Sequence, residues 1–179
     1  MLHKAITGLA HGMALLGGAV LCALVVMVSV SIAGRELADA AHGGWLGGAG
    51  DWLIDLGIGP VFGDFELVEA GTAFAVFAFL PLTQLSGAHA KVDVFTKAMG
   101  PRADAALAAF WSVVMAAATV LITWRLFAGL QDRIRFGDTT FMIQFPLWWA
   151  YAACLCAAVA ASVVSLYCAA LRLAGRRSP

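Results

Sequence analysis

Two carboxylates three residues apart, Glu66 and Glu69, stand at the head of a long apolar run in the stretch GDFELVEAGTAFAVFAFLPL. Acids entering a membrane can bind sodium or carry protons, and they tend to face protein rather than lipid. Residues three apart share a helical face, so one ligand or one partner could meet both. The same residues also suit a helix start, where first-turn acids gain ~0.3–1 kcal/mol from the helix dipole. If the helix begins near Phe65, Glu69 lies only ~6 Å along it at ~1.5 Å per residue, at headgroup depth. Three readings follow: a dipole-stabilised interfacial helix start, a polar contact to a partner subunit, and a coupling site for ions.

Other chemistry is sparse. The four histidines, His3, His11, His42 and His89, lie at the ends of apolar runs or between them. Axial haem ligands in membrane proteins sit within the spans. Cys22, Cys154, Cys156 and Cys168 fall inside apolar runs, where cysteine acts as a small hydrophobe. No CxxC, GxSxG, HExxH or phosphate-binding loop occurs, so neither a metal centre nor a nucleotide-driven pump is signalled. Arg35 follows the first apolar run and shares a side with Glu66 and Glu69, which makes it a candidate salt-bridge and subunit-contact residue. Arg125, Asp132, Arg133 and Arg135 follow the third run. They read as solvated charge at the outer face or as a docking face for a soluble partner.

The elements that position these residues follow from composition. Of 179 residues, 62% are hydrophobic and 12% charged, against about 25% charged in soluble domains. Formal net charge is zero, which gives no reason to expect a nucleic-acid partner. About 20 apolar residues cross a ~30 Å hydrocarbon core. Four runs qualify, at approximately 12–33, 67–85, 105–124 and 146–171, within a single membrane domain over 1–179. The expected fold class is therefore all-α integral membrane, with four transmembrane helices. Ser31-Ile32-Ala33 resembles a signal-peptidase site, but the first run exceeds the ~7–15 residues of a signal-peptide core, so an uncleaved span is expected.

An even number of spans places both termini on one side. Lys4, Lys91, Lys97, Arg102, Arg172, Arg176 and Arg177 fall there, against Arg35, Arg125, Arg133 and Arg135 opposite; this excess predicts cytoplasmic termini. The first loop contains Trp45 and Trp52 amid glycine, and the second reads HAKVDVFTKAMGPR with Val92, Phe95 and Met99 on one helical face. Short interfacial helices are expected in both loops. Trp45, Trp52, Trp148, Trp149 and Tyr151 are candidate interface anchors, and Lys91 and Lys97 face anionic headgroups. Small residues supply packing stripes: Ala153, Ala157, Ala161, Ser165 and Ala169 in the fourth run, Ala105, Ala109, Ser112, Ala116 and Thr119 in the third, and Gly8-x-x-x-Gly12 at the start.

The residues alone stop at a four-span membrane protein that assists something else. The order GDFELVE at the second span, Pro81-Leu82 near its end, HAKVDVF in the second loop and FPLWWAY opening the last span resembles the small membrane subunit, DctQ-type, of tripartite ATP-independent periplasmic (TRAP) transporters. The resemblance covers roughly residues 12 to 171; the long Gly/Trp-rich first loop departs from shorter versions of the family. It implies an accessory scaffold in the bacterial inner membrane beside a large DctM-type membrane subunit. That partner uses a sodium gradient to take up a small carboxylate delivered by a periplasmic substrate-binding protein. It also implies that sodium and substrate sites lie in the large subunit, with no cofactor in this chain and no enzymatic activity. Two alternatives compete: an anchor or electron-transfer subunit of a redox enzyme, and a self-assembling structural membrane protein.

Overall fold

The computed structural model describes residues 2–42, 59–87 and 101–174, except for the side chains of residues 2 and 101–104. Four helices make up the described fold: α1 Leu2–His42, α2 Asp64–Ser86, α3 Pro101–Phe136 and α4 Leu147–Leu173. All four are long and apolar enough to cross a membrane. The interfacial helices expected in the two loops, with Trp45, Trp52, Lys91 and Lys97, lie outside the described residues.

Two helices outrun their apolar cores. At 1.5 Å per residue, the 41 residues of α1 reach ~61 Å and the 36 of α3 reach ~54 Å. Both exceed the ~30 Å hydrocarbon thickness. Helix continues through the charged tail of the third run because nothing in WRLFAGLQDRIRF breaks it until Gly137. That glycine adopts φ 67° and its N–H bonds Arg133 O at 3.0 Å, a left-handed stop that glycine accepts without strain. Arg125, Asp132, Arg133 and Arg135 therefore sit on α3 itself rather than in a loop.

α4 is the centre of the bundle. It packs on α3 and α2 and more lightly on α1, while α2 also packs on α1. In its most apolar stretch α4 buries 56% of its residues, α1 only 6%. The expected small-residue stripe explains this except at its first member, Ala153, which is exposed: Ala157, Ala161, Ser165 and Ala169 are buried, joined by Cys154, Ala158, Val164 and Cys168. In α3, Ser112, Ala116 and Thr119 are buried, whereas Ala105 is exposed. Gly8 and Gly12 differ from expectation: a Cβ on either would meet nothing within 4 Å. The residues α1 turns inward near its start are Ile6 and Ala10, in one cluster with Leu85, Val164 and Cys168.

The α1–α2 seam has an antiparallel register. Ala10 and Leu85 share that cluster. A Cβ on Gly17 would lie 3.0 Å from Ala78 Cβ, and one on Gly71 would lie 2.8 Å from a Leu24 methyl. Ser31 meets Asp64. These steps of seven residues on each helix match the heptad spacing that keeps one face toward a partner.

At one end of the bundle the beginning of α1 meets the end of α4, where His3 and Tyr167 stack with centroids 6.3 Å apart. Arg172 in the last turn of α4 reaches α3, donating to the Ser112 hydroxyl and to Ala108 O. This is the terminal end. The opposite, distal end carries the turn into α2 and the α3–α4 connection.

Candidate functional site

The distal end gathers most of the acids and arginines singled out in the sequence. α2 begins behind Gly63, whose φ is 74°. A Cβ there would strike the Ile143 side chain, so glycine meets both a conformational and a steric demand. Asp64 opens the helix and serves two neighbours at once. Its Oδ1 accepts the Phe65 N–H at 2.9 Å, satisfying one of the donors a helix start leaves unpaired. Its Oδ2 accepts the Ser31 hydroxyl at 2.6 Å. Ser31, fully buried, in turn accepts the Val61 N–H at 3.1 Å. Arg35 approaches the same carboxylate at 3.8 Å, so the acid facing Arg35 is Asp64 rather than Glu66 or Glu69.

Glu66 has a local task. Its two oxygens accept the N–H groups of Met142 at 2.6 Å and Ile143 at 3.0 Å. Those residues form the tip of a short hairpin between α3 and α4. Its base is closed by Leu147 N–H to Asp138 O at 2.9 Å and by Thr140 N–H to Phe145 O at 2.9 Å, with one bridge between Thr139 and Pro146. Gln144 takes φ 56° to make the reversal. The tip is strongly exposed, Phe141 completely so, and a charged acceptor from another element bonds it, beside the Phe145 N–H to Thr140 Oγ1 bond at 3.0 Å.

Arg133 ties the hairpin base to α3. It pairs with Asp138, and its guanidinium carbon lies 5.6 Å from the Tyr151 ring centroid, a cation–π distance. Arg125 lies one turn below Gly129, where a Cβ would be 3.0 Å from the Tyr151 ring. It is exposed and lies over its neighbour Trp124 at 5.8 Å. It thus sits within α3, twelve residues before Gly137. Asp132 and Arg135 are exposed in the last turns of α3. Trp148 and Trp149 are in ring contact at 5.5 Å, and Trp149 meets Phe145 at 6.2 Å; these aromatics open α4 at the distal end, the position proposed for anchors.

α2 and α3 do not lie against each other over their length; α4 separates them. The gap leaves a half-open cavity of about 400 Å³, whose lining includes Glu66, Glu69, Arg133 and Tyr151 at its mouth and Ala73, Phe77 and Leu126 below. Glu69 is exposed at this mouth, with no hydrogen-bond or ion-pair partner among the described residues.

At mid-depth the polar groups are hydroxyls. Thr123 Oγ1 shares a hydrogen bond with Ser162 Oγ at 2.8 Å and lies 3.1 Å from Ala158 O, joining α3 to α4. Among the described residues no group of three His, Cys, Asp or Glu side chains could hold a metal ion. Sequence reasoning passed over Ser31 and Asp64. Ser31 sits in a stretch resembling a cleavage site, and Asp64 was overshadowed by the two glutamates. The signal that marks them is the seven-residue spacing from Gly17 and Leu24 on one side and from Gly71 and Ala78 on the other.

Residues 56–175 match the family model described as tripartite ATP-independent periplasmic transporters, DctQ component. The match takes in α2, α3 and α4 and starts after α1, a narrower reach than the resemblance over residues 12–171. No curated protein and no solved structure matches the chain. With more than half of its length matched, and with four helices able to cross a membrane, the chain belongs to the DctQ component family of TRAP transporters and is a multi-pass membrane protein.

Proposed function

We propose that the chain is the accessory scaffold subunit of a sodium-driven uptake system for a small carboxylate. It packs beside a large DctM-type membrane subunit that receives its substrate from a periplasmic binding protein. It resides in the bacterial inner membrane with both termini cytoplasmic, so the distal end is periplasmic. Sodium and substrate are bound by the large subunit, and this chain carries no cofactor and catalyses no reaction.

One observation carries this reading: the polar groups between helices at mid-depth, Thr123 and Ser162, bond to each other and to backbone. A secondary transporter needs a polar midplane site built from broken helices. Most of the described charges lie toward the ends, where Arg35 and Glu66 are committed within the chain; Arg125, two residues from Thr123, is exposed and lies over Trp124. Asp132 and Arg135, exposed on the last turns of α3, are left to meet the binding protein; Arg133 is committed to Asp138.

Co-expression tests it. The chain should co-purify at fixed stoichiometry with a much larger polytopic subunit, and in liposomes without that subunit it should transport nothing. Sodium-driven uptake by the isolated chain would overturn the assignment.

A further inference from the structure

We propose that the cleft between α2 and α3 is a binding site for one phospholipid with a zwitterionic amine headgroup, such as phosphatidylethanolamine. The site stands on the cavity and its lining and does not depend on the transport role.

Shape is the first argument. The cavity of about 400 Å³ falls in the ~300–1,000 Å³ range of small-molecule sites. Its lining runs along α2 from Glu66 to Phe77, eleven residues or ~16 Å at 1.5 Å per residue. That is the depth of one leaflet, half of a ~30 Å hydrocarbon core. Below the mouth the walls are Ala70, Ala73, Phe77, Leu126 and Cys154, which offer an acyl chain no polar group beyond a thiol. A second cavity of only about 10 Å³ begins on the far side of Phe77, roughly one water in size. Phe77 therefore ends the space available to a chain.

Charge is the second argument. The mouth holds two carboxylates and one guanidinium. Glu66 is occupied by the hairpin N–H groups, whereas Glu69 has no partner among the described residues. Arg133 gives a donor to Asp138, but a guanidinium has five. An ammonium suits Glu69 and a phosphate suits Arg133, so a headgroup carrying both signs matches the mouth. An anionic headgroup without an amine leaves Glu69 unpaired and adds repulsion from both acids.

A transmembrane helix of the partner subunit is the competing occupant, and the two make different demands. Ala73 is exposed, so Ala73→Trp fills the cleft without repacking the bundle. Ala150→Leu narrows it from the α4 wall, as an independent check against misfolding.

The test is native mass spectrometry of the full chain, titrated with phosphatidylethanolamine and with phosphatidylglycerol of the same chain length. The wild type should retain the amine lipid about fivefold better, the ratio expected of one solvent-accessible charge pair. Glu69→Gln should abolish that preference yet keep a lipid adduct, and Ala73→Trp and Ala150→Leu should both lose the adduct. Equal retention of the two lipids by the wild type overturns the proposal. So does wild-type retention in both filled variants. So does a result in which Ala73→Trp loses only a co-expressed large subunit while lipid retention is unchanged, which would make the cleft a seat for that subunit.

Discussion

The hydroxyl of Ser31 donates to Asp64 Oδ2 at 2.6 Å while accepting the Val61 N–H at 3.1 Å, so one buried atom joins α1 to the turn that starts α2. Ser31→Ala leaves the Val61 N–H without its acceptor and removes the hydroxyl donor to Asp64 Oδ2, while Oδ1 keeps the Phe65 N–H and Arg35 stays 3.8 Å away. Losing such a buried bond costs ~1 kcal/mol or somewhat more. For a chain of this size each kcal/mol moves the melting temperature by about 2–4 °C. Ser29→Ala is the control, because that hydroxyl bonds Val25 O on its own helix and is exposed. Thermal unfolding in detergent should show a drop of a few degrees for Ser31→Ala and little change for Ser29→Ala.

The two tightest approaches involving α1 differ in what they would meet. A Cβ at Gly34 would run into the Gly59 carbonyl, and backbone there cannot turn aside. A Cβ at Gly71 would meet the end of the Leu24 side chain, which can change rotamer. Gly34→Ala is therefore expected to cost ~1–3 kcal/mol, in the range of an overpacked site. Gly71→Ala should fall within ~1 kcal/mol of the wild type, since relief of glycine's helix penalty offsets the crowding. A denaturation series ranking Gly71→Ala below Gly34→Ala would contradict this packing.

Threonines one turn apart on α3 have different partners. Thr123 Oγ1 bonds Thr119 O of its own helix at 2.8 Å and also meets Ser162 Oγ and Ala158 O on α4, whereas Thr119 Oγ1 bonds carbonyls of its own helix, at Met115 and Ala116. Interhelical side-chain bonds in membranes average ~0.6 kcal/mol and reach ~1.7. Thr123→Val should lower stability by about that amount and Thr119→Val by less. A double mutant with Ser162→Ala should add little to Thr123→Val, because both changes remove the same bond.

The sequence made the four helices legible because ~20-residue apolar runs leave few alternatives in lipid. It also showed the α4 packing face, since Ala157, Ala161, Ser165 and Ala169 repeat at one helical spacing and all are buried. It underestimated the reach of α1 and α3. Hydropathy marks where lipid ends, whereas a helix ends where its backbone is stopped, and Gly137 lies twelve residues beyond Arg125. The partner of Glu66 was illegible for a different reason. Its ligands are the backbone N–H groups of Met142 and Ile143, and backbone donors carry no residue-type signal. The cleft was hidden too, because it follows from α2 and α3 being held apart by α4.

Glu66 and Glu69 looked alike in sequence, and hydrogen exchange should separate them. Glu66 binds the hairpin tip through the N–H groups of Met142 and Ile143, while Phe141 beside them is fully exposed. Glu66→Ala removes both acceptors, so the amides of residues 142 and 143 should exchange much faster. The hairpin base, closed by Leu147 N–H to Asp138 O, should retain most of its protection. Glu66→Gln keeps one carbonyl oxygen and should give an intermediate rate. Glu69→Gln touches none of these bonds and should leave the hairpin's exchange unchanged. Faster tip exchange in Glu69→Gln, or none in Glu66→Ala, would show that something other than the Glu66 carboxylate orders this connection.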